Sequence, residues 1–323
     1  MKMIVIIVAS IVALLTVTYG LIGNYFFNYA LNADREKEFL EDNPHLEESA
    51  AVLASVAEEV KLADELFLEN HEPSQLNVVS ADNRQLNLNA YLFKNKRSEH
   101  KHKWAIVVHG YNSQAKHMIR YVRNFYEKGY HVLAPDLRGH GESEGDYIGM
   151  GWHDRKDMLQ WIDMIIEQDP EAEIVLFGVS MGGATVMMTS GEEDLPGNVK
   201  VIVEDCGYSS VSDVFVYQLD DLFGLPEFPV IPAANTVTNI RAGYDLYEAS
   251  AANQVAKSNT PIMFIHGDSD TFVPFEMLDK VYEAANVDKE KLIIQGAGHG
   301  DAEKVDPVTY WNGVWSFVDS YIN

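Results

Sequence analysis

Six short apolar runs, each closed by a turn or a helical pattern, constrain this chain more than any other feature. They read WAIVVHG, HVLAPD, EIVLFGV, VKVIVED, PIMFIHG and KLIIQG, between residues 104 and 296. Helical patterns lie between several of them: KHMIRYVRNFYEKG, DRKDMLQWIDMIIEQD and VYEAANV. A strand open to water on one face alternates polar with apolar residues, whereas these runs are nearly continuous. They therefore predict an α/β fold, a mostly parallel sheet with helices on both faces. Such sheets bind ligands beyond the carboxyl ends of their strands. His109, Asp136, Ser180, Asp205, Asp270 and His299 stand at those ends. Upstream, LNVVSADNRQLNLNAYLF reads as a hairpin turning at Asp82-Asn83.

One connection is far too long. About 50 residues, 209–258, separate VKVIVED from PIMFIHG, against a usual 2–6. This insertion is aromatic and aliphatic, with Phe223 and Phe228 among its largest residues, and prolines punctuate it. It reads equally as an extra helical pair packed on the sheet or as a lid lining an acyl pocket.

The amino terminus sets the second constraint. Met3 to Ala33 carries no charge, and Ile4 to Ile22 approaches the ~20 residues a helix needs to cross a bilayer. Tyr25, Phe26, Phe27 and Tyr29 follow, as an interfacial belt would. Residues 1–33 are therefore expected to be an N-terminal transmembrane helix that anchors the protein. The rival is a signal peptide cut near Thr18-Tyr19-Gly20, giving a secreted product. Flanking charges, Lys2 against Arg35 and Lys37, nearly tie. The short tail before the apolar run favours a single pass with the carboxy-terminal domain outside the cell. Such an anchor brings no candidate catalytic group, so a chain starting near Ala33 is expected to keep full activity on small esters. Residues 34–75 are acidic. Leu46, Ala50, Leu53, Val56, Val60 and Leu66 suggest an amphipathic helix from about Pro44 to Leu68.

Composition narrows the partners. Lys and Arg number 24 against 49 Asp and Glu, a formal charge of −25, which would repel a phosphate backbone, so no nucleic acid is expected. A single cysteine, Cys206, excludes an intrachain disulfide framework and a Cys-rich metal site. His100 and His102 alternate as ligands might, but in a highly charged loop, so no metal site is expected there.

The pattern G-x-S-x-G occurs twice, at Gly141–Gly145 and Gly178–Gly182. Ser180 follows an apolar strand and opens a helix-like run, the setting of a nucleophile elbow. Ser143 lies between two glutamates in a loop, where negative charge would oppose a developing oxyanion. Ser180 is therefore the candidate nucleophile. A serine needs a base and an orienting acid. HGDSDTFVP and GAGHG, each following a strand, supply Asp270 and His299, with Asp268 and Asp205 as competing acids.

The order Ser180, Asp270, His299 resembles that of the α/β-hydrolase superfamily serine hydrolases. The chain is especially similar to bacterial membrane-anchored or exported hydrolases of the dienelactone-hydrolase and prolyl-oligopeptidase-like branch. The resemblance covers residues 75–323, so the hydrolase domain is expected over 76–323 with a helical lid at about 209–258. It implies that VVHGYNS is the oxyanion loop, with the backbone N–H of Tyr111 as second donor beside Met181. It also implies that Asp136, Arg138, His140 and Ser143 in APDLRGHGES shape a loop, that His109 is structural, and that the acid is Asp270. Departures matter too. No cysteine stands at the nucleophile position, and residues 1–75 are too few for a propeller. The expectation is a cofactor-free serine hydrolase acting on small-molecule carboxylic esters through an acyl-enzyme. A peptidase or amidase using the same triad is the alternative, and a catalytically inactive surface binding protein is the alternative of another class.

Overall fold

The computed structural model describes residues 1–41, 43–46, 57–96 and 102–322. Among them, eight strands form one sheet: β1 (Ser74–Val79), β2 (Asn87–Phe93), β3 (Lys103–Val108), β4 (His131–Pro135), β5 (Glu173–Val179), β6 (Val199–Asp205), β7 (Ile262–Gly267) and β8 (Lys289–Ile294). Their spatial order is β1-β2-β4-β3-β5-β6-β7-β8. β1 and β2 pair antiparallel, β2 meets β4 antiparallel, and every later pairing is parallel. The six apolar runs are β3 to β8.

Among the described residues the α-helices of five or more residues are α1 (Lys2–Ala30), α2 (Ala57–Asn70), α3 (Ile119–Glu127), α4 (Asp154–Gln168), α5 (Met181–Thr189), α6 (Val211–Phe223), α7 (Glu227–Arg241), α8 (Ala251–Val255), α9 (Glu276–Ala284) and α10 (Pro307–Val318). Alternation along the central strands explains their composition. Trp104, Ile106, Ile174 and Leu176 enter the core on one face of the sheet, with α4 and α5. Ala105, Val107, Val175 and Phe177 enter the core on the other, with α3 and α10. Both directions of the pleat are buried, so no polar register is left. Each large side chain removed from water contributes about 1.5–3 kcal/mol, as an upper figure.

The hairpin turns where the sequence indicates. Ser80 Oγ donates to Asp82 Oδ1 at 2.8 Å, and Ser80 N donates to Leu86 O at 2.9 Å. The acidic segment differs from expectation. Ala50, Leu53 and Val56 lie outside the described residues, and α2 runs from Ala57 to Asn70. Leu66 is exposed and Phe67 is buried instead. Phe67 packs against Phe93 and Tyr126, with ring centroids 5.7 and 5.3 Å away. Arg123 on α3 pairs with Asp64 at 2.9 Å, turning that side of α2 inward. An aromatic slot and an ion pair outweigh the leucine periodicity.

The insertion forms α6, α7 and α8. Ser210 caps α6 by accepting from Asp213 N, and Gly224, at φ 61°, ends it in the left-handed conformation. Across α7 lies the apolar helix α1. Gly23 permits that contact, because a Cβ there would stand 2.2 Å from Ala233 O. Residues 2–18 of α1 are exposed throughout, and only from Tyr19 onward does it meet the rest of the protein. Among the described residues α1 is the one helix long and apolar enough to cross a membrane.

Candidate active site

β5 ends at Val179, α5 begins at Met181, and Ser180 makes the turn with φ 58° and ψ −118°. A non-glycine residue in this region costs about 1–3 kcal/mol and persists only where its surroundings hold it. Here Ser180 N donates to Asp205 O at 2.7 Å. The flanking glycines are a steric requirement. A Cβ on Gly178 would lie 2.2 Å from Gly182 O, and one on Gly182 would lie 2.2 Å from Val108 O. The end of β3 is equally close: a Cβ on Gly110 would meet Ser180 Cβ at 3.2 Å. The loop through Tyr111 and the first turn of α5 at Met181 therefore flank the serine.

His299 stands after β8, and its Nε2 lies 2.8 Å from Ser180 Oγ. Its Nδ1 lies 2.8 Å from Asp270 Oδ2. Asp270 Oδ1 accepts from the amides of Phe272 and Val273 at 3.0 and 2.9 Å. Burial pushes the Asp270 carboxyl up, but the facing His299 charge and hydrogen bonds from His266 and His299 outweigh it. They hold the group well below the usual carboxylate range. Burial likewise disfavours the His299 cation, yet attraction to Asp270 wins and raises its pKa above the ordinary imidazole value.

His266 is the residue that sequence reasoning missed. It ends β7 with a buried side chain, and its Nε2 lies 3.2 Å from Asp270 Oδ2 and 3.0 Å from Val273 O. Two acceptors face Nε2, so that nitrogen carries the hydrogen. The signal was present as the first letter of HGDSD, four residues before the acid.

The competing carboxylates point elsewhere. Asp268 Oδ1 accepts from Gly296 N at 2.6 Å and Ser269 Oγ at 3.1 Å. Asp205 is fully buried and accepts from Tyr310 OH at 2.8 Å; burial raises its pKa to about 6 against that hydrogen bond. Ligand-type atoms of Cys206, Asp270 and His299 lie within 4.8 Å of one another. Asp270 and His299 already bind each other, and burial pushes the Cys206 thiol well above its usual value. Such a protonated, buried thiol is a poor metal ligand.

The loop residues do structural work. Ser143 Oγ donates to Asp136 O at 2.6 Å and accepts from Asn89 N at 2.8 Å. Arg138 pairs with Asp157 and Asp82 at 2.6 and 2.7 Å. His109 Nε2 accepts from Leu137 N at 3.0 Å, and burial lowers its pKa to about 4. His140 is also buried, with Nδ1 3.1 Å from Arg138 O. His102 lies 2.8 Å from Asp169, while His100 is outside the described residues.

Ser180 opens on an apolar cavity. Tyr111, Met150, Tyr208 and Phe272 line it from the sheet side. Phe215, Leu219, Leu222 and Phe223 line it from α6, and Ile231 and Ala234 from α7. Among the described residues no charged one is in the wall. Phe223 is thus at the cavity, whereas Phe228 is 75% exposed and stands outside it. The difference is positional, since Phe228 sits in the irregular first turn of α7 with φ −90° and ψ 132°. A third side comes from α1: Phe26, Phe27, Tyr29 and Ala30 line the cavity too. The N-terminal segment, expected from the sequence to bring no catalytic group, contributes its inner end to the wall.

Known proteins agree with this architecture. The family model described as serine aminopeptidase, S33 matches residues 99–203, which includes Ser180 and stops short of Asp270 and His299. Over 216 residues the chain is 25% identical to the uncharacterized protein YqkD of Bacillus subtilis, spanning 67% of this chain and 70% of that protein. It is 27% identical to YfhR of Escherichia coli K12, but spans only 55% of that relative's length. An esterase of Pyrococcus furiosus, Pf2001, superposes with a TM-score of 0.61 at 22% identity, covering 79% of this chain and 93% of that one. Pyrococcus horikoshii acylaminoacyl peptidase gives 0.60 at 18% identity, over 80% of this chain and 43% of that one. By strand order, elbow and these likenesses, the chain has the α/β-hydrolase fold, and the family match over residues 99–203 supports a hydrolase as its general class.

Proposed function

We propose that the protein is a membrane-held serine hydrolase that cleaves carboxylic esters with apolar acyl groups. One observation carries the reading: an unbroken Ser180–His299–Asp270 hydrogen-bond chain, with 2.8 Å at both links, opens on an uncharged cavity. Ser180 Oγ attacks the ester carbonyl carbon as His299 Nε2 takes its proton. The tetrahedral oxyanion is held by the amides of Tyr111 and Met181. Its collapse expels the alcohol, which takes the proton from His299 and leaves an acyl-serine. Water then attacks the acyl-serine, again through His299, releasing the acid and restoring Ser180. Asp270 keeps Nδ1–H occupied so that Nε2 stays free, and stabilises the imidazolium.

An aminopeptidase must also hold the charged α-amino group of its substrate. Among the described residues the cavity wall offers no carboxylate for that, which favours esters over aminoacyl amides. Length and apolar character of α1, with residues 2–18 exposed, support the membrane attachment. A fluorophosphonate should label the wild-type protein at Ser180 and leave Ser180→Ala unlabelled. Aryl esters of graded acyl length should then turn over faster than aminoacyl anilides. Unlabelled wild type would point to a binding protein on a hydrolase fold, and a preference for anilides to a peptidase.

A further inference from the structure

The inner end of α1 is fastened to the site far more firmly than a tether requires. Tyr111 OH donates to Ala30 O at 2.6 Å, so a residue that lines the cavity beside Ser180, and is proposed above as an oxyanion donor, is braced by the helix. Lys37, almost fully buried, donates to Tyr29 O and Asn32 O at 3.1 and 2.8 Å and closes the carboxyl end of α1. Arg241 of α7 reaches Asn24 and Asn28 at 3.1 and 2.9 Å and lies over the Phe27 ring at 4.1 Å. Ile148 N donates to Leu31 O at 2.8 Å. Phe26 meets Phe223 edge to face, centroids 5.3 Å apart, closing the cavity between α1 and α6.

The distance along α1 is equally telling. The span that crosses hydrocarbon ends near Ile22, and the first cavity residue is Phe26. One helical turn, about 6 Å, separates them. The cavity therefore lies at the level of the membrane interface. Phe228 and Ile240, at opposite ends of α7, are 75% and 79% exposed on the helix that packs against α1. Exposed apolar groups beside a membrane span suit a face partly sunk among headgroups.

We infer that the substrate is a long-chain acyl ester dissolved in the bilayer, whose chain passes from the membrane into the cavity along α1, and that α1 is a wall of the acyl site. This rests on the ester-hydrolase reading above and adds the substrate class and its route of entry. The net charge of −25 disfavours an anionic membrane surface, so uncharged or zwitterionic vesicles suit the test.

The experiment uses the full chain reconstituted in phosphatidylcholine vesicles. Phe26→Ala opens the wall and Ala30→Phe fills it. Each should lower the ratio of kcat/KM for an aryl decanoate over an aryl acetate by about tenfold, as the loss of about two buried methylenes requires. Thermal melts and fluorophosphonate labelling of both variants report whether fold and nucleophile persist. An unchanged ratio in both labelled variants would overturn the wall. Entry is tested with a fluorogenic stearate ester that does not exchange between vesicles. It should be cleaved when it shares the enzyme's vesicles and spared when it is in separate ones. Equal rates in the two arrangements would overturn the membrane route. Absence of labelling in the wild type would instead remove the hydrolase reading beneath both.

Discussion

Two stretches of this chain spell the same pattern and do opposite things. GESEG, Gly141–Gly145, and GVSMG, Gly178–Gly182, each place a serine between glycines. Ser180 is forced into a positive φ between a central strand and a helix, its hydroxyl facing His299 and the cavity. Ser143 spends its hydroxyl on two backbone groups, Asp136 O and Asn89 N, and ties the loop after β4 to β2. Location on the sheet, and not the motif, separates a reactive hydroxyl from a fastening one.

The largest test of that contrast is removal of each hydroxyl. Ser180→Ala should lower kcat by a factor on the order of 10⁶, whereas Ser143→Ala should leave single-turnover acylation near wild type. If Ser143→Ala were the silent enzyme, the assignment would be reversed. Next comes the acid. Asp270→Asn can hold His299 in the wrong tautomer and should cost about 10⁴ in kcat. Asp268→Asn, whose carboxylate contacts only Ser269 and Gly296, should stay near wild type. Asp205→Asn keeps the Ser180 N contact, which is to its backbone, and should lose far less than Asp270→Asn. A severe loss confined to Asp205→Asn would move the acid to β6.

A subtler separation lies in pH. His299 must be neutral to accept the serine proton, and its pKa is raised by Asp270. Activity should therefore fall as pH drops through a value above the ordinary imidazole pKa. Asp270→Asn removes the attraction that favours the cation, so the residual activity should lose its acid limb at lower pH. In Ser143→Ala and Asp268→Asn the limb should not move. An unmoved limb in Asp270→Asn would mean that another group sets it.

Legibility in the sequence followed the physics of each part. β3 to β8 were readable because burial on both faces leaves apolar runs with few alternatives, and the elbow because tight turns demand glycine. Ser180 and His299 were readable from motifs at strand ends, whereas Asp270 was separated from Asp268 and Asp205 by the family resemblance. Their meeting was not, since 119 and 29 residues of chain separate the hydrogen-bonded pairs. His266 was hidden because a buried histidine at a strand end looks like any polar residue closing a run. The inward face of α2 was misjudged where one aromatic slot outweighed leucine spacing. The place of α1 was least visible: exposed apolar residues and apolar residues lining a cavity have the same composition, and only packing tells Val12 from Phe26.

The smallest expected effect sharpens the comparison from the structural side. Ser143→Ala deletes a donor to Asp136 O and an acceptor for Asn89 N, both part-buried. Water can replace some of that bonding, so the loss should be about 1–2 kcal/mol, not the full cost of two orphaned groups. For a domain of this size that corresponds to a melting shift of about 2–6 °C. Ser180→Ala should behave in the opposite sense. Its hydroxyl faces a cavity and a histidine, and its removal leaves the elbow strain in place while deleting no backbone partner. It should melt within about 2 °C of wild type, since the one bond lost, to His299 Nε2 at 2.8 Å, is to a side chain that stays fastened to Asp270. A Ser143→Ala variant as stable as wild type, alongside a clearly destabilised Ser180→Ala, would erase the division of labour between the two serines.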